Sequence, residues 1–415
     1  MAEREVIVVG AGAVGLSVAE ALAARDCSVT VLESGRCGAG ASAGNAGWVT
    51  PSLSIPIPGP GVIGTSLKWL IDPSGPLWIR PTLSAAMLRF LAVFVASCRR
   101  SAHGRGLRVL QELAAQAGAA FELIASRGVI FECHDEPLLY PTFERAELNH
   151  LLHVAGELRA AGARETLEQL TSAELAELEP ALDSTRMLGG LIAGGERRVR
   201  PESLTAGLHD ALRARGVPVV EQQRVQRIFR DGSTWRVGER RADTVVLACG
   251  VESRQLLAPL GFRLNLLGAK GYSRTYPVDA GGPARAVYLE TPKVSVSPFD
   301  EGLRISGTLE LGARTLDLSQ RRLEAITTAT ARALPGWRMP GRPSDWAGMR
   351  SLSPDGLPYV GPVPGHDGLY LATAHATLGI TLAPLTGELL ARRILDGEHN
   401  PLMNQIDPGR RIHAH

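Results

Sequence analysis

This sequence of 415 residues has few cysteines, almost no excess of one charge and no long apolar run. The five cysteines are odd in number and form no C-x-x-C pair, which disfavours a disulfide framework and a zinc site, so no metal is expected. The 44 Lys and Arg residues nearly balance 42 Asp and Glu residues, and nothing therefore indicates nucleic acid as a partner. The cysteine usage also fits a reducing cytoplasm, and the N-terminus lacks the pattern of a signal peptide.

The longest apolar segment, residues 83–98, is shorter than the roughly 20 residues that a membrane-spanning helix needs. Its large apolar residues recur at helical spacing, and Arg89, Arg99 and Arg100 lie between or beyond them. This pattern favours a helix packed on the protein. A helix that lies on the inner face of a membrane is the alternative, which would make the protein a peripheral membrane protein.

The first 33 residues have the pattern of a βαβ unit. Residues 5–9 predict a buried strand, residues 14–24 a helix and residues 28–33 a second strand. Gly10, Gly12 and Gly15 separate the first strand from the helix. They allow a tight turn, close approach of a pyrophosphate and close packing of helix on strand. Glu33 ends the second strand, where a carboxylate accepts ribose hydroxyls, so a dinucleotide other than NADP is predicted.

A second run of small residues, 40–47, follows soon after Glu33. Small residues let a flat ring lie against the backbone, and Ser42 and Asn45 could hydrogen-bond to the ring or the phosphates. An ordinary flexible loop is the alternative. Residues 51–81 are rich in Pro and Gly and predict a long irregular connection, which in a compact domain is usually functional.

The rest of the chain predicts more strands of the first sheet and a second sheet. Helical patterns dominate residues 83–179 and recur at 202–215 and 380–395. Residues 217–220, 243–248 and 369–374 read as strands that rejoin the first sheet. Residues 268–311 alternate in strand fashion, which predicts a separate antiparallel sheet.

These motifs, taken together, resemble the D-amino acid oxidase-like FAD enzymes, and among them the bacterial D-amino acid dehydrogenases. The resemblance extends over most of the chain. The segments that carry it are Gly10 to Gly15 with Glu33, Ser42, Asn45-Ala-Gly47, Leu67-Lys-Trp-Leu70, Lys270-Gly-Tyr-Ser273, Gly348-Met-Arg350, Pro354-Asp-Gly356 and His375-Ala-Thr-Leu-Gly379.

FAD is the cofactor that the resemblance implies. We expect it to be non-covalent, because the segment Ser351-Leu-Ser-Pro354 offers neither Cys nor His for attachment. Val225 would contact the adenine end through its backbone, and Cys249 is expected to be a small buried hydrophobe. The full set of expected cofactor contacts is Gly10, Gly12, Ala13, Val14, Gly15, Glu33, Ser34, Ser42, Asn45, Ala46, Gly47, Val225, Ala248, Gly250, Arg350, Thr377, Leu378, Gly379, Ile380 and Thr381.

The loop from His375 to Gly379 joins the last predicted strand to the last predicted helix. Backbone N–H groups where that helix begins, at Ile380, would face the N1/C2=O edge of the flavin, where reduction builds negative charge. Some relatives have a basic side chain in this loop, whereas Thr377 and Leu378 occupy it here. The helix end would therefore provide more of the stabilisation of the negative charge on the reduced flavin. A plain strand–helix loop is the alternative.

Arg350 is the residue expected to hold the substrate carboxylate, because a guanidinium binds a carboxylate through two parallel hydrogen bonds. A structural arginine is the alternative. Tyr272 and Tyr288 are candidates for shaping the pocket over the flavin, and core packing is as good a reading for Tyr288. His375 would either tune the flavin or pack in the core. No general base is evident, and none is needed if a neutral amine gives its α-hydrogen as hydride to flavin N5.

The sequence thus predicts an α/β fold with a Rossmann-like FAD-binding domain and an inserted α+β substrate domain built on an antiparallel sheet. Residues 1–80, 185–265 and 343–415 would form the FAD domain, and residues 81–184 and 266–342 the substrate domain. The expected activity is oxidative deamination of D-amino acids, D-proline types included, with electrons passing to a quinone or another carrier. A glycine or sarcosine oxidase that uses O₂ and a flavin-binding subunit of a hetero-oligomer are the alternatives, and the oligomeric state is open.

Overall fold

The structure is a computed structural model that describes residues 4–64, 75–80, 84–164, 167–278 and 281–410. The motif Leu67-Lys-Trp-Leu70 lies outside the described residues. In chain order the strands are β1 (Glu5–Val9), β2 (Ser28–Leu32), β3 (Trp48–Val49), β4 (Leu77–Ile79), β5 (Cys133–Asp135), β6 (Leu138–Thr142), β7 (Leu167–Leu170), β8 (Gly189–Ala193), β9 (Arg197–Val199), β10 (Val219–Val220), β11 (Ile228–Asp231), β12 (Thr234–Val237), β13 (Arg240–Ala242), β14 (Thr244–Leu247), β15 (Leu267–Pro277), β16 (Val287–Leu289), β17 (Val294–Phe299), β18 (Gly302–Leu311), β19 (Ser344–Leu352), β20 (Tyr359–Pro362) and β21 (Leu369–Thr373).

The helices alternate with these strands through most of the chain. In chain order they are α1 (Ala13–Ala23), α2 (Ala85–Ser97), α3 (Arg100–Ala114), α4 (Ala117–Ser126), α5 (Arg145–Ala160), α6 (Ser172–Leu178), α7 (Pro201–Ala214), α8 (Ser253–Leu257), α9 (Gln320–Ala333), α10 (Ala383–Leu395) and α11 (Pro401–Ile406).

A six-stranded sheet in the order β10-β2-β1-β14-β21-β20 forms the first part of the fold. Its strands are parallel except β20, which runs antiparallel to β21. The predicted βαβ unit is confirmed: β1 and β2 pair in register, and α1 crosses between them. All but one residue of α1 are buried, because it packs against α7 and α10. Such a helix can be Ala- and Leu-rich on every side.

A larger sheet has the order β19-β15-β18-β17-β16-β6-β8-β7, with β4 added beside β18. Neighbouring strands are antiparallel except the β16–β6 and β18–β4 pairs. The antiparallel prediction for residues 268–311 is therefore confirmed for β15 to β18. One face of this sheet packs on α9 around Tyr272, Tyr276 and Trp337, and the other face is turned toward the six-stranded sheet's loops.

Strand pairing places two segments differently from the predicted domain borders. The sequence predicts that residues 185–265 and 343–415 belong to the FAD-binding part, but β8 pairs with β6 and β19 pairs with β15, so both strands belong to the larger sheet. The sequence does not reveal this, because neither the length nor the composition of a strand shows which sheet it joins. The division into two parts otherwise stays a prediction.

The apolar segment near residue 90 forms α2, and its Met87 and Phe90 are buried against the protein. This confirms the prediction of a packed helix for the residues described, which exclude Leu83. Among the described residues, no helix combines the length and the apolarity needed to cross a bilayer.

Candidate active site

The glycine-rich turn lies where β1 meets α1, at the carboxyl edge of the six-stranded sheet. Gly10 has φ +107°, and a Cβ there would lie 2.7 Å from the carbonyl oxygen of Ala248. A Cβ at Gly15 would lie 1.9 Å from the Gly10 oxygen, so α1 can approach β1 this closely only with glycine. A Cβ at Gly12 would meet only Ser42 Oγ, at 3.2 Å, which leaves this side of the turn open.

The first turn of α1 offers backbone N–H groups to a ligand. The Ala13 N–H donates to Ser42 Oγ at 2.9 Å. Within the described residues, the N–H groups of Val14 and Gly15 find no acceptor. These donors, at the positive end of the helix dipole, fit a pyrophosphate. The hydroxyl of Ser42, predicted from the second run of small residues, thus lies at the same helix end.

The Glu33 carboxylate lies beside the glycine-rich turn. It accepts hydrogen bonds of 2.8 Å from the Ala11 N–H and the Gly35 N–H, and one of 3.1 Å from the exposed Ser34 hydroxyl. The backbone oxygen of Glu33 also accepts from Gln223 N–H at 2.7 Å, which brings the segment around the partly buried Val225 to this edge. A ribose and an adenine could be bound here, as the sequence predicts.

The turn from Ala248 to Gly250 lies on the other side of Gly10. The Ala248 N–H donates to the Val9 oxygen at 2.8 Å, and its own oxygen lies against Gly10. Burial raises the pKa of the Cys249 thiol to about 11, and its sulfur lies 3.3 Å from Ser253 Oγ. Cys249 is therefore an uncharged thiol at neutral pH, in line with the prediction of a small hydrophobe.

The loop between β21 and α10 has an unusual backbone. Ala374 and Ala376 have φ values of +63° and +52°, in the left-handed region that favours glycine. Ser351 binds this loop, since its Oγ accepts from Ala374 N–H at 3.1 Å and its carbonyl oxygen from Ala376 N–H at 3.1 Å. Such backbone strain persists only where surrounding structure holds it, and it is frequent at functional sites.

The prediction that the last helix begins at Ile380 is wrong, because α10 begins at Ala383, just before Pro384. Leu378 and Leu382 form separate turns before it, through the bonds Leu378 N–H to His375 O and Leu382 N–H to Leu378 O. In the part of the chain that the structure describes, the N–H groups of Gly379, Ile380 and Thr381 find no acceptor. They stay available for a flavin edge, while the Thr377 side chain is exposed.

Arg350 lies on β19 opposite Ala269 of β15, and its guanidinium extends across Gly271. A Cβ at Gly271 would lie 3.2 Å from the guanidinium carbon, so glycine makes room for this side chain. Burial lowers the pKa of Arg350, but an arginine stays charged at neutral pH. No hydrogen bond or ion pair joins the guanidinium to any described residue, so this partly buried cation has no carboxylate of its own there.

The face of the larger sheet that holds Arg350, here called the Arg350 face, is turned toward residues 44–48. A Cβ at Gly44 would lie 2.3 Å from Cδ2 of Trp346 and 2.8 Å from Ser273 Oγ, both on this face. The Trp346 indole also covers Gly348, where a Cβ would lie 2.0 Å from it. Sequence reasoning missed Trp346, although its position two and four residues before Gly348 and Arg350 puts it on their face.

Tyr288 belongs to the Arg350 face, whereas Tyr272 does not. The Tyr288 ring contacts those of Trp48 and Tyr140 edge-on, with centroids 5.7 Å apart in both pairs. Burial and the Glu290 carboxylate raise the pKa of Tyr288 while the nearby Arg350 lowers it, and the phenol stays neutral. A neutral Tyr288 beside Arg350 is suited to donate a hydrogen bond to a carboxylate.

The prediction that Tyr272 shapes the pocket is not supported by its position. Its hydroxyl donates to Glu310 Oε2 at 2.8 Å, and Lys270 lies 3.3 Å from the same oxygen. Side chains alternate along a strand, so Lys270 and Tyr272 point away from the face that Ala269 and Gly271 share with Arg350. The motif does lie on a strand of the site, β15, but the register of that strand directs the Tyr272 side chain into the core beneath α9.

His375 is buried at the base of the strained loop. Its Nε2 lies 3.0 Å from Thr386 Oγ1 of α10, and burial lowers its pKa to about 4. The imidazole is therefore neutral at physiological pH, and it joins the loop to α10. Of the two roles considered, packing has this direct structural support.

Residues of the larger sheet also hold the loop that contains Asn45, Ala46 and Gly47. Arg304 of β18 donates to the Asn45 carbonyl oxygen at 2.8 Å and to Glu202 Oε1 at 2.6 Å. Asn45 Oδ1 accepts from Gly47 N–H at 2.8 Å, and Thr381 Oγ1 donates to the Trp48 oxygen at 2.9 Å. Arg304 was missed because nothing in the sequence links position 304 to position 45.

These observations fit FAD as a ligand. The glycine-rich turn with the free first-turn N–H groups of α1 would hold the pyrophosphate, and Glu33 the ribose. The N–H groups of Gly379 to Thr381 would face the flavin, with the Arg350 face opposite. Most of the predicted contacts thus lie along one continuous edge.

Comparison with known proteins also points to FAD as the cofactor. A family model described as FAD dependent oxidoreductase, or DAO, matches residues 5–393. The D-amino acid dehydrogenase of Xanthobacter autotrophicus is 32% identical over 399 residues, which cover 93% of this chain and 94% of the relative. The D-amino acid dehydrogenase of Cereibacter sphaeroides is 32% identical over 403 residues, which cover 94% and 92%.

Solved structures share the fold over nearly the whole chain. Glycine oxidase from Geobacillus kaustophilus superposes with a TM-score of 0.77 at 23% identity and covers 99% of this chain and 100% of its own. Iminodiacetate oxidase from Chelativorans sp. gives 0.73 at 20% identity and covers 97% and 98%. The predicted α/β class with a second, largely antiparallel part is thereby confirmed.

Proposed function

The chain belongs to the DAO family of FAD-dependent oxidoreductases, and from this premise we propose that it dehydrogenates D-amino acids to imines, which hydrolyse to 2-oxo acids. The similarity to D-amino acid dehydrogenases over more than nine-tenths of both chains supports the substrate class and its stereochemistry. FAD, when bound, supplies the acceptor for the hydride that leaves the substrate Cα.

One observation carries the proposal: the Arg350 guanidinium is partly buried and has no carboxylate partner among the described residues. A buried cation without a counter-ion is costly, and binding of an α-carboxylate offsets that cost. Two parallel N–H···O bonds from a guanidinium would also fix the orientation of the carboxylate. A purely structural arginine would instead be paired, as Arg274 is with Asp345 at 2.7 Å on the opposite face of the same sheet.

Tyr288 and Trp48 extend this binding site on the Arg350 face. Tyr288 would donate its hydroxyl hydrogen to the substrate carboxylate beside Arg350, because burial keeps the phenol neutral. Trp48 packs edge-on against Tyr288 and thereby orients it. The two residues would position the substrate and help to exclude water, which is the protein's main contribution to hydride transfer.

No side chain of the site is needed as a general base if the amine binds in its neutral form. His375 is hydrogen-bonded to Thr386 and neutral at physiological pH, so it serves the loop and not the proton transfer. The reaction rate should therefore follow deprotonation of the free substrate amine and rise toward mildly alkaline pH.

An anaerobic flavin-bleaching screen tests the proposed function. The purified yellow protein is mixed with D- and L-amino acids, glycine and sarcosine one at a time, and the flavin absorbance is recorded. Bleaching by D-amino acids alone, with slow recovery in air, is the expected result. Bleaching by glycine or sarcosine with fast recovery in air and peroxide release would instead indicate an oxidase. No bleaching by any of them would contradict the proposal and favour a subunit that needs a partner.

The electron acceptor is proposed to be a quinone or another carrier and not O₂, by similarity to proteins named dehydrogenases. A dye-linked assay checks this directly. Turnover that needs an added quinone or dye supports a carrier, and equal turnover with O₂ alone contradicts it.

A further inference from the structure

The Arg350 face has hydroxyl groups where the opposite face of the same strands is apolar. On β17 and β18 the residues that face α9 are Val294, Val296 and Ile305, which belong to one buried apolar cluster. Side chains alternate along a strand, so their sequence neighbours Ser295 and Ser306 lie on the Arg350 face. Buried hydroxyl groups are normally hydrogen-bonded, so serines at these positions need partners.

One row of paired residues crosses this face from β16 to β19. Tyr288 pairs with Ser295, Ser295 with Ser306, Ser306 with Ser273, and Ser273 with Trp346. The row, here called the serine row, thus has a large aromatic residue at each end and three serines between them. Neighbouring strands lie about 4.8 Å apart, so the small side chains form a trough about three strands wide.

The hydroxyl groups of the serine row have no partner within the part of the chain that the structure describes. Ser306 is 2% exposed and Ser295 is partly buried, and neither Oγ forms a hydrogen bond with any described residue. The buried Oγ of Ser273 is likewise unpaired within the described ranges. A buried hydroxyl without a partner has lost the hydrogen bonds that it forms with water, and a polar ligand would restore them.

The two groups proposed to bind the substrate carboxylate are directed at the serine row. Arg350 pairs with Ala269, but its guanidinium extends across Gly271, the next residue of β15 on this face in the direction of Ser273. Tyr288 is itself the end of the row, and it lies close enough to Arg350 for that charge to lower the pKa of the phenol. A carboxylate bound by both groups would therefore lie beside the serines.

On the other side of Arg350 the same face is closed by apolar packing. Ala269 and Leu311, which pair across β15 and β18, form a buried cluster with Phe90 of α2. Thr308, at φ +56°, lies at the irregular pairing where the face changes from hydroxyl to apolar residues. A substrate held at Arg350 would therefore extend its side chain over the serine row and not in the opposite direction.

We propose that the enzyme prefers D-amino acids whose side chain carries a hydroxyl or amide group, and that Ser295 and Ser306 bind this group. The inference rests on the proposed function, since it concerns the side chain of the same substrate. An apolar side chain of equal size would leave both serine hydroxyls unpaired, and such a site discriminates against that substrate. One net hydrogen bond contributes a factor of roughly two to ten, so we expect a preference of about tenfold.

Substrates of equal size test the preference. D-Serine is compared with D-2-aminobutyrate, and D-threonine with D-valine, because in each pair a methyl group replaces the hydroxyl. The FAD-loaded protein should give a kcat/KM about tenfold higher for D-serine and D-threonine. Equal or higher values for the apolar member of each pair would overturn the preference and leave dehydrogenation of D-amino acids intact. No reaction with any D-amino acid would instead refute the proposed function, and this inference with it.

Two variants assign the preference to the serine row. Ser306→Ala and Ser295→Ala should each lower the ratio of kcat/KM for D-serine to that for D-2-aminobutyrate by about threefold to tenfold. The ratio is compared between proteins, because the effect of the hydroxyl on the pKa of the substrate amine then cancels. Ser17→Ala is the matched control and should keep the parent's ratio, since Ser17 is buried in α1 and its Oγ also lacks a described partner. An unchanged ratio in both row variants would overturn the assignment.

Analogues without an amine separate recognition of the side chain from hydride transfer. 3-Hydroxypropanoate and butanoate have the carboxylate and the side chains of D-serine and D-2-aminobutyrate, and their binding is followed by tryptophan fluorescence. The Kd of 3-hydroxypropanoate should be about tenfold lower in the parent, and the two values should be equal in Ser306→Ala/Ser295→Ala. Arg350→Ala should weaken both, because the shared carboxylate loses its partner. Equal Kd values in the parent would overturn the proposal. Flavin content is recorded for every variant, so that loss of folding is recognised.

Discussion

The Arg304 guanidinium donates a 2.8 Å hydrogen bond to the backbone carbonyl oxygen of Asn45, and so ties the larger sheet to the loop that is predicted to contact FAD. The same guanidinium pairs with Glu202 Oε1 at 2.6 Å. Arg304→Met should weaken FAD retention about tenfold and destabilise the fold by about 1–3 kcal/mol. That range lies below the cost of stranding a fully buried charge, because the Glu202 side chain is 38% exposed.

A double variant separates the two effects of Arg304. In Arg304→Met/Glu202→Gln the stranded charge is gone, so the melting temperature should recover. FAD retention, measured by flavin release on dilution, should stay weak because the bond to Asn45 is still missing. Recovery of both properties would contradict a role for Arg304 in positioning the loop.

Arg350→Ala should keep FAD bound and lose substrate affinity. Loss of one partner of a paired buried charge costs about 2–5 kcal/mol, so kcat/KM for D-amino acids should fall by roughly 30-fold to several thousand-fold. Arg350→Lys should restore little of it, since an ammonium cannot form the two parallel bonds. The exposed Arg342→Ala is the control and should be neutral. Unchanged kinetics in Arg350→Ala would refute the carboxylate clamp.

The parts of the site that are local in sequence could be predicted, and those set by strand register could not. The first 33 residues contain the strand, the glycines, the helix and Glu33, and over so short a segment the spacing in sequence determines the spatial arrangement. The structure brings them together at one edge of the sheet. Tyr272 was misplaced because one residue of register decides the face of the sheet. Arg304 and Asn45 are 259 residues apart, and only the folded chain reveals their contact.

The three glycines of the first turn should respond differently to a methyl group. Gly12→Ala adds a Cβ that meets only Ser42 Oγ, at 3.2 Å, so the apo protein should keep its melting temperature while FAD affinity falls about tenfold or more. Gly15→Ala puts a Cβ 1.9 Å from the Gly10 oxygen and should destabilise the apo fold by about 3 kcal/mol or more.

Gly118→Ala is the control for both substitutions. Gly118 lies in α4, and nothing lies within 4 Å of a Cβ there, so alanine should be neutral or slightly stabilising. Thermal melting of the apo proteins and fluorescence titration with FAD give the two readouts. A Gly12→Ala protein that binds FAD normally would refute the assignment of this turn to the pyrophosphate.

The left-handed backbone at Ala376 predicts a stabilising substitution. A non-glycine residue at φ +52° costs about 1–2 kcal/mol of strain, which glycine would relieve. Glycine also has more conformational freedom in the unfolded chain, and this cancels roughly half of the stabilisation. Ala376→Gly should therefore stabilise the protein by about 0.5–1 kcal/mol, seen as a small rise in melting temperature. Ala372→Gly, in the neighbouring strand β21, should instead destabilise it, because its methyl group is buried and its backbone is extended. A fall in stability for Ala376→Gly would mean that the methyl contact outweighs the strain.

His375 predicts a stability change between about pH 6.5 and pH 4. Burial lowers its pKa from 6.5 to about 4, so in this range the unfolded chain binds a proton that the folded protein does not. Above pH 6.5 the imidazole is neutral in both the folded and the unfolded protein, so its burial does not make stability depend on pH there. Below pH 6.5 the free energy of unfolding falls as the pH drops toward 4, by about 3 kcal/mol from this group. His375→Gln can keep a bond to Thr386 and cannot take up the proton. Urea unfolding at pH 7, 6 and 5 should therefore show that the variant loses less stability on acidification than the parent. The exposed His399→Gln should follow the parent curve, and a His375→Gln curve parallel to the parent at all three pH values would show that this histidine is not buried in its neutral form.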